Sequence, residues 1–141
     1  MSQGGACPRC KEAQLEALEE RGVPFRGCTA CFGLFVTARD LHEYVVRATV
    51  PAVGEAFTVL LDATLGGTSS ASVRRCPDCG DPLQRLGFGE APLVIIDMCM
   101  DHGIWLDKKE LTKVLRSSRA QAAKMGLTAP FVDDEEDDEE G

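Results

Sequence analysis

The sequence lacks the features that would announce an exported, membrane-bound or catalytic protein. Its first residues, Met1-Ser2-Gln3-Gly4-Gly5, have neither the basic start nor the apolar stretch of a secretion signal. No apolar run approaches the roughly 18 residues needed to cross a bilayer. There is no glycine-rich phosphate loop, no G-x-S-x-G elbow and no general base spaced to serve a nucleophile. These absences lead us to expect a protein that is not an enzyme, has no membrane partner and sits in the reducing cytoplasm, where thiols stay free to bind metal.

Net charge is also lacking outside one segment. The formal charge is −8, but residues 133–140 are eight consecutive acids, and the other 15 acids equal the 15 Lys and Arg. A neutral body does not favour direct nucleic-acid binding, because neutralised phosphates supply most of that affinity. Residues 127–141 read as a disordered acidic tail with nothing to bury.

An even disulfide set is missing as well. The seven cysteines are Cys7, Cys10, Cys28, Cys31, Cys76, Cys79 and Cys99, and six of them form C-x-x-C pairs. That spacing suits metal rather than a closed disulfide framework.

What is present is a repeat. One copy runs from Cys7-Pro8-Arg9-Cys10 to Cys28-Thr29-Ala30-Cys31, the other from Cys76-Pro77-Asp78-Cys79 to Cys99-Met100-Asp101-His102. Seventeen residues separate the pairs in the first copy and nineteen in the second, about the length of a β-hairpin. Zinc takes four tetrahedral ligands and binds thiolate and neutral imidazole well. The first copy supplies Cys7, Cys10, Cys28 and Cys31; the second supplies Cys76, Cys79, Cys99 and, where a fourth cysteine would stand, His102. Seven cysteines and one histidine fill two Zn²⁺ sites per chain with none left over. A redox dithiol is the rival reading of a single C-x-x-C, and iron also suits an all-sulfur tetrahedron. His42 lacks a partner at ligand spacing and reads as a helix-surface residue.

Hairpin signals fit the repeat. Leu93-Val94-Ile95-Ile96 is a β-branched run arriving at Cys99, with Gly87, Gly89 and Pro92 before it. Residues 15–20 pass for helix on propensity alone, but the repeat makes them a strand. Each copy then opens a helix: Thr37 with Asp40, and Asp107 with Glu110, stand at N-cap and N3 spacing. Leu41, Tyr44, Val45 and Ala48 share one helical face, as do Leu111, Val114 and Leu115. Pro51 ends or kinks the first helix. Val53, Ala56, Phe57, Leu60 and Leu61 then repeat at helical spacing, and residues 66–72 read as a Gly/Ser linker. The last helix runs to about Met125, with Gly126 as its stop. Trp105, at a hairpin-to-helix junction, is explained by packing against the metal module.

The pattern C-P-x-C, hairpin, C-x-x-C or C-x-x-H, then Gly, an aromatic, Leu-Asp and Glu-Leu resembles the bacterial transcription-factor-IIB-type zinc-finger family, in two tandem copies. The second copy carries Gly103-Ile104-Trp105-Leu106-Asp107 and Glu110-Leu111. In the first, Phe32-Gly33 stands for two glycines, Phe35-Val36-Thr37 for Trp-Leu-Asp, and Asp40-Leu41 for Glu-Leu. The resemblance covers roughly residues 7–45 and 76–115. It implies the zinc-ribbon fold and the ligand set, and little about activity.

The expected architecture is small α+β: two zinc ribbons, each a β-hairpin plus helix, joined by a helical segment. Its divisions are 1–50, first ribbon with helix; 51–75, amphipathic helix and linker; 76–126, second ribbon with C-terminal helix; and 127–141, the tail. The expected function is a non-catalytic adaptor that holds another protein, with the apolar face of residues 53–61 as the motive. The alternative is a transcription-associated or nucleic-acid-binding ribbon, for which Arg74-Arg75 offers a small basic spot.

Overall fold

The computed structural model describes residues 5–68, 70–89 and 93–127. Among the described residues, seven strands and three helices follow in the order β1 (Glu16–Glu20), β2 (Val23–Gly27), β3 (Leu34–Val36), α1 (Ala38–Ala48), α2 (Pro51–Leu65), β4 (Ser70–Arg75), β5 (Pro82–Phe88), β6 (Val94–Cys99), β7 (Gly103–Leu106) and α3 (Glu110–Lys124). The chain is α+β, as expected from its repeat.

All seven strands form one antiparallel sheet in the order β1-β2-β3-β7-β6-β5-β4. The first copy contributes β1, β2 and β3; the second contributes β5, β6 and β7, with β4 added at its outer edge. The copies meet where β3 pairs with β7, in the register Leu34↔Leu106, Phe35↔Trp105 and Val36↔Ile104. Phe35 is the first copy's counterpart of Trp105, so equivalent residues face each other across a local twofold. The two repeats thus share a continuous hydrogen-bonded sheet.

Local chemistry explains most of the elements. Arg21 and Gly22 both have positive φ (52° and 80°), which matches the tight two-residue turn that joins β1 to β2 with the right twist. The Thr37 side chain accepts from the Asp40 N–H at 3.0 Å and caps α1. Pro51 does not kink α1; it opens α2 as that helix's first residue, where its missing N–H costs nothing. Gly126, at φ 70°, follows α3 as expected. Leu127 still packs on the core, and the rest of the acidic tail, residues 128–141, lies outside the described residues.

Two expectations need correction. Residues 70–75 of the supposed linker are strand β4, paired with β5 in the register Ser70↔Arg85 and Ala71↔Gln84. Ser72 and Arg74 hold that strand down, because Arg74 reaches the buried carboxylate of Asp97 on β6. Asp107 is not the cap of the last helix. Its carboxylate accepts from the Trp105 indole N–H at 3.0 Å and from Arg74, so α3 starts three residues later, at Glu110. The Glu110 carboxylate accepts from the Asp107 N–H at 2.8 Å, the half of the capping box that survives.

The sheet separates two cores. On one face, α1, α2 and α3 cover Val23, Phe25, Val36, Leu86, Ile96 and Ile104. α2 contributes Val53, Ala56, Phe57 and Leu60 to this core, so its apolar face is spent inside the fold. On the other face Phe35, Leu83 and Trp105 gather with Leu15, Cys7, Cys28 and Cys76. The alternation of strand side chains makes this division: Leu34 and Val36 point to the helices, Phe35 between them to the cysteines. Trp105 is fully buried, so packing is its role.

Gly33 shows how tight the second core is. A Cβ at that position would stand 2.2 Å from the Trp105 ring. Gly33→Ala is expected to destabilise the zinc-loaded protein by about 3 kcal/mol, since neither ring nor backbone has room to yield. Chemical unfolding followed by Trp105 fluorescence checks this, and an unchanged midpoint would contradict it.

Candidate metal centres

Each Cys-rich repeat presents two ligand turns, three of the four closed from the residue after the second ligand and the fourth from His102 itself. In the first, the Lys11 N–H donates to the Cys7 carbonyl and the Phe32 N–H to the Cys28 carbonyl; in the second, Gly80 donates to Cys76 and His102 to Cys99. Closing these turns puts Lys11 (φ 71°), Phe32 (φ 64°) and Gly80 (φ 79°) in the left-handed region. Glycine accepts that conformation freely, so the C-P-x-C-G spelling of the second ribbon is the relaxed version of the first. Within the turns, N–H groups point at sulfur: Cys10 N–H to Cys7 Sγ at 3.2 Å, Ala30 N–H to Cys28 Sγ at 3.4 Å and Asp78 N–H to Cys76 Sγ at 3.3 Å. Such donors favour the thiolate, the form that binds metal.

The sheet brings the turns together in pairs. Cys28 to Cys31 bridge β2 and β3, and Cys99 to His102 bridge β6 and β7, while Cys7 to Cys10 precede β1 and Cys76 to Cys79 precede β5. All eight predicted ligands fall into two groups, Cys7/Cys10/Cys28/Cys31 and Cys76/Cys79/Cys99/His102, with the ligand atoms of each group within 4.8 Å of one another. Zinc–sulfur bonds of about 2.3 Å in a tetrahedron require sulfurs about 3.8 Å apart, and sulfur and nitrogen about 3.5 Å apart. Cys7 and Cys31 stand 3.7 Å apart, Cys10 and Cys28 3.8 Å, and Cys79 and Cys99 3.8 Å. His102 presents Nδ1 at 3.6 Å from Cys76 Sγ and 3.4 Å from Cys99 Sγ. Both groups therefore fit a tetrahedral zinc ion, and each can hold one. His42 stands apart: its ring packs 6.2 Å from that of Phe57 on α2.

The thiols differ in acidity, for physical reasons. Burial pushes Cys7 and Cys76 up to about 12. Burial also raises Cys28, but the N–H groups of Cys31 and Ala30 and the neighbouring thiols outweigh it, bringing it down to about 7. Cys99 is lowered in the same way, by the Asp101 N–H and by His102 acting against burial. His102 is raised by its hydrogen bond to Cys99.

Several residues that support the sites were invisible to sequence reasoning. Arg26 of β2 lies over the Phe35 ring at 4.9 Å and forks onto Asp78, with contacts of 2.9 and 2.8 Å. That pair ties the first ribbon's sheet to the first turn of the second ribbon's metal site, and it holds the Asp78 carboxyl below its ordinary range. On the same side, a Cβ on Gly5 would meet the Pro77 carbonyl oxygen at 2.5 Å, so the segment before Cys7 lies against the second site. These contacts span more than fifty residues, and no local pattern signals them. Of the pair Arg74-Arg75, only Arg75 keeps an exposed, unneutralised charge. Arg74 is spent on Asp97 and Asp107, and Arg75 donates to the Gly80 carbonyl at 3.1 Å.

Residues 6–47 match the family model described as transcription factor zinc-finger. The match covers the first copy and α1; the second copy is not matched and is suggested by its cluster Cys76/Cys79/Cys99/His102. No curated protein and no solved structure matches the chain.

The second site is the more open one, since Cys79 is exposed whereas the first site has no exposed ligand. His102→Ala is expected to leave one zinc per chain instead of two, with the first site retained, as native mass spectrometry reads directly. Loss of both ions would show that the sites cannot load separately. Zinc must displace the protons held by the raised thiols of Cys7 and Cys76, so loading should release protons and the apparent affinity should fall as pH falls. Chelator competition at several pH values checks the sign, and a flat profile would contradict it.

Proposed function

We propose that the chain is a non-catalytic zinc-stabilised adaptor, and that it engages another protein through the cleft between its two Cys-Pro turns. Four protein ligands at each centre leave no position for water or substrate, whereas catalytic zinc keeps one open. The observation that carries the reading is the cleft itself, about 440 Å³, lined by Pro8, Lys11, Val73, Arg75 and Pro77 among others. Val73, on the edge strand β4, is 81 % exposed and adds apolar surface to the cleft. An apolar floor with two cations beside it suits a partner segment carrying an apolar side chain flanked by acids. The apolar face of α2 offers no such surface, because the core has taken it. All seven cysteines are free, which accords with a reducing compartment such as the cytoplasm. No helix among the described residues is long and apolar enough to cross a membrane.

A second reading, association with nucleic acid during transcription, draws on the description of the matched family and on the exposed cations of α3. It competes with the first on salt dependence, because phosphate contacts release counterions.

Val73→Asp distinguishes them. In the zinc-loaded protein it should abolish capture of the partner while leaving two zinc ions and the melting temperature unchanged. Capture of the same proteins by variant and wild type would sink the cleft reading. Tight, steeply salt-dependent binding of a DNA or RNA duplex, untouched by Val73→Asp, would support the alternative.

A further inference from the structure

The formally neutral body is polarised, and α3 holds the positive pole. Lys109, just before the helix, and Lys113, Arg116 and Arg119 within it are all exposed. At 3.6 residues per turn, Lys109, Lys113 and Arg116 fall within about 60° of one another, with Arg119 on their flank. That stripe lies opposite Val114, Ser118 and Ala122, which are buried against the core. The only acid of α3, Glu110, is half-buried and turned to the Asp107 N–H. Burial, partly offset by that hydrogen bond, pushes its carboxyl up to about 7, so at neutral pH it carries only about half a negative charge. By contrast, strand β1 at the far edge of the sheet carries Glu16, Glu19 and Glu20, all exposed.

The strongest negative charge in the chain is its own. Residues 133–140 are eight consecutive acids, and only five residues separate Leu127 from Asp133. Leu127 packs on the core beside the end of α3. Leaving that point, an extended chain covers roughly 3.3 Å per residue, against 1.5 Å per residue along the helix. A segment turning back along α3 therefore passes Arg119, Arg116, Lys113 and Lys109 before residue 140 is reached. Tethering so close gives it an effective concentration in about the millimolar range, which a free polyanion must exceed.

We infer that the acidic segment, residues 133–140, docks in cis on the cationic face of α3 and occupies it until a stronger polyanion or high salt displaces it. The contact is electrostatic and solvent-exposed, so each pair is weak and the set is screened by salt. It is independent of the cleft between the Cys-Pro turns, so the failure of either reading leaves the other standing.

Zero-length carbodiimide cross-linking of the full-length, zinc-loaded protein tests the placement, since it joins a lysine amine to a carboxylate in direct contact. At low salt, Lys109 and Lys113 should be joined to residues 133–140 within one chain, and the products should disappear at about 1 M salt. Isotope-mixed chains separate the sources: cross-links between light and heavy chains would overturn docking in cis in favour of a second copy. Cross-links from residues 133–140 to Lys11 instead of the α3 lysines would overturn the site. A heparin column provides the independent reading. Replacing all eight acids by their amides should raise the salt needed for elution severalfold. The triple variant Lys113→Gln, Arg116→Gln, Arg119→Gln should erase most of that gain. An equal gain with and without the triple substitution would mean that the segment acts through net charge alone, and the inference would fall.

Discussion

The antiparallel pairing of β3 with β7 is the constraint on which the rest of the molecule depends. A ribbon of about forty residues cannot bury enough apolar surface to hold itself together, which is why such modules usually lean on metal. Here two Cys-rich repeats solve the problem jointly. Setting Phe35 opposite Trp105 places both rings on the helix-free face, where they fill the space between the two thiol clusters. The residues on either side, Leu34, Val36, Ile104 and Leu106, turn to the other face and close the core beneath the helices. One short pairing therefore serves both cores.

The metal centres are consequently not independent appendages. Cys7 and Cys28 of one site and Cys76 of the other are buried in the same cluster as Trp105, a ring whose removal from a core generally costs about 3 to 5 kcal/mol. Arg26 reaches from the first ribbon to Asp78 inside the second site's turn. Such a pair, partly exposed, contributes little by itself in water. Its importance is geometric, because it fixes the angle between the turns and so shapes the cleft between Pro8 and Pro77. Gly33 and Gly5 belong to the same logic, each marking a place where the two halves approach too closely for a side chain.

The helical layer has its own division of labour. α2, the element without a counterpart in the second copy, lies against both α1 and α3 and spends Val53, Ala56, Phe57 and Leu60 on the core. It thereby joins the two halves on the helix side, as β3 and β7 join them within the sheet. α3 buries small residues, Ser118 and Ala122, towards that layer and leaves its long cations outside. The result is a body whose net charge is near zero and whose surface is nonetheless polar from one end to the other.

The sequence by itself determined what depends on near neighbours. The two candidate ligand sets followed from C-x-x-C and C-x-x-H spacing, because a tight turn places two donors on one side of the chain whatever surrounds it. The strand at β1, the cap at Thr37, the face of α2 and the stop at Gly126 followed from the repeat, from side-chain reach and from helical periodicity. Asp107 was misread because its cap spacing was sound but its carboxylate had better partners in Trp105 and Arg74, the latter distant in sequence. Residues 70–75 were misread because Ser70, Ala71 and Ser72 continue the small-residue run that begins at Gly66, and only pairing with β5 makes the segment a strand. Tertiary structure alone decided that the ribbons share a sheet, that Trp105 stands between both metal centres, and that the Cys-Pro turns face one cleft. The physical reason is that strand pairing and ion pairing between distant segments depend on which surfaces remain unburied after each half has folded, and local pattern carries no record of that.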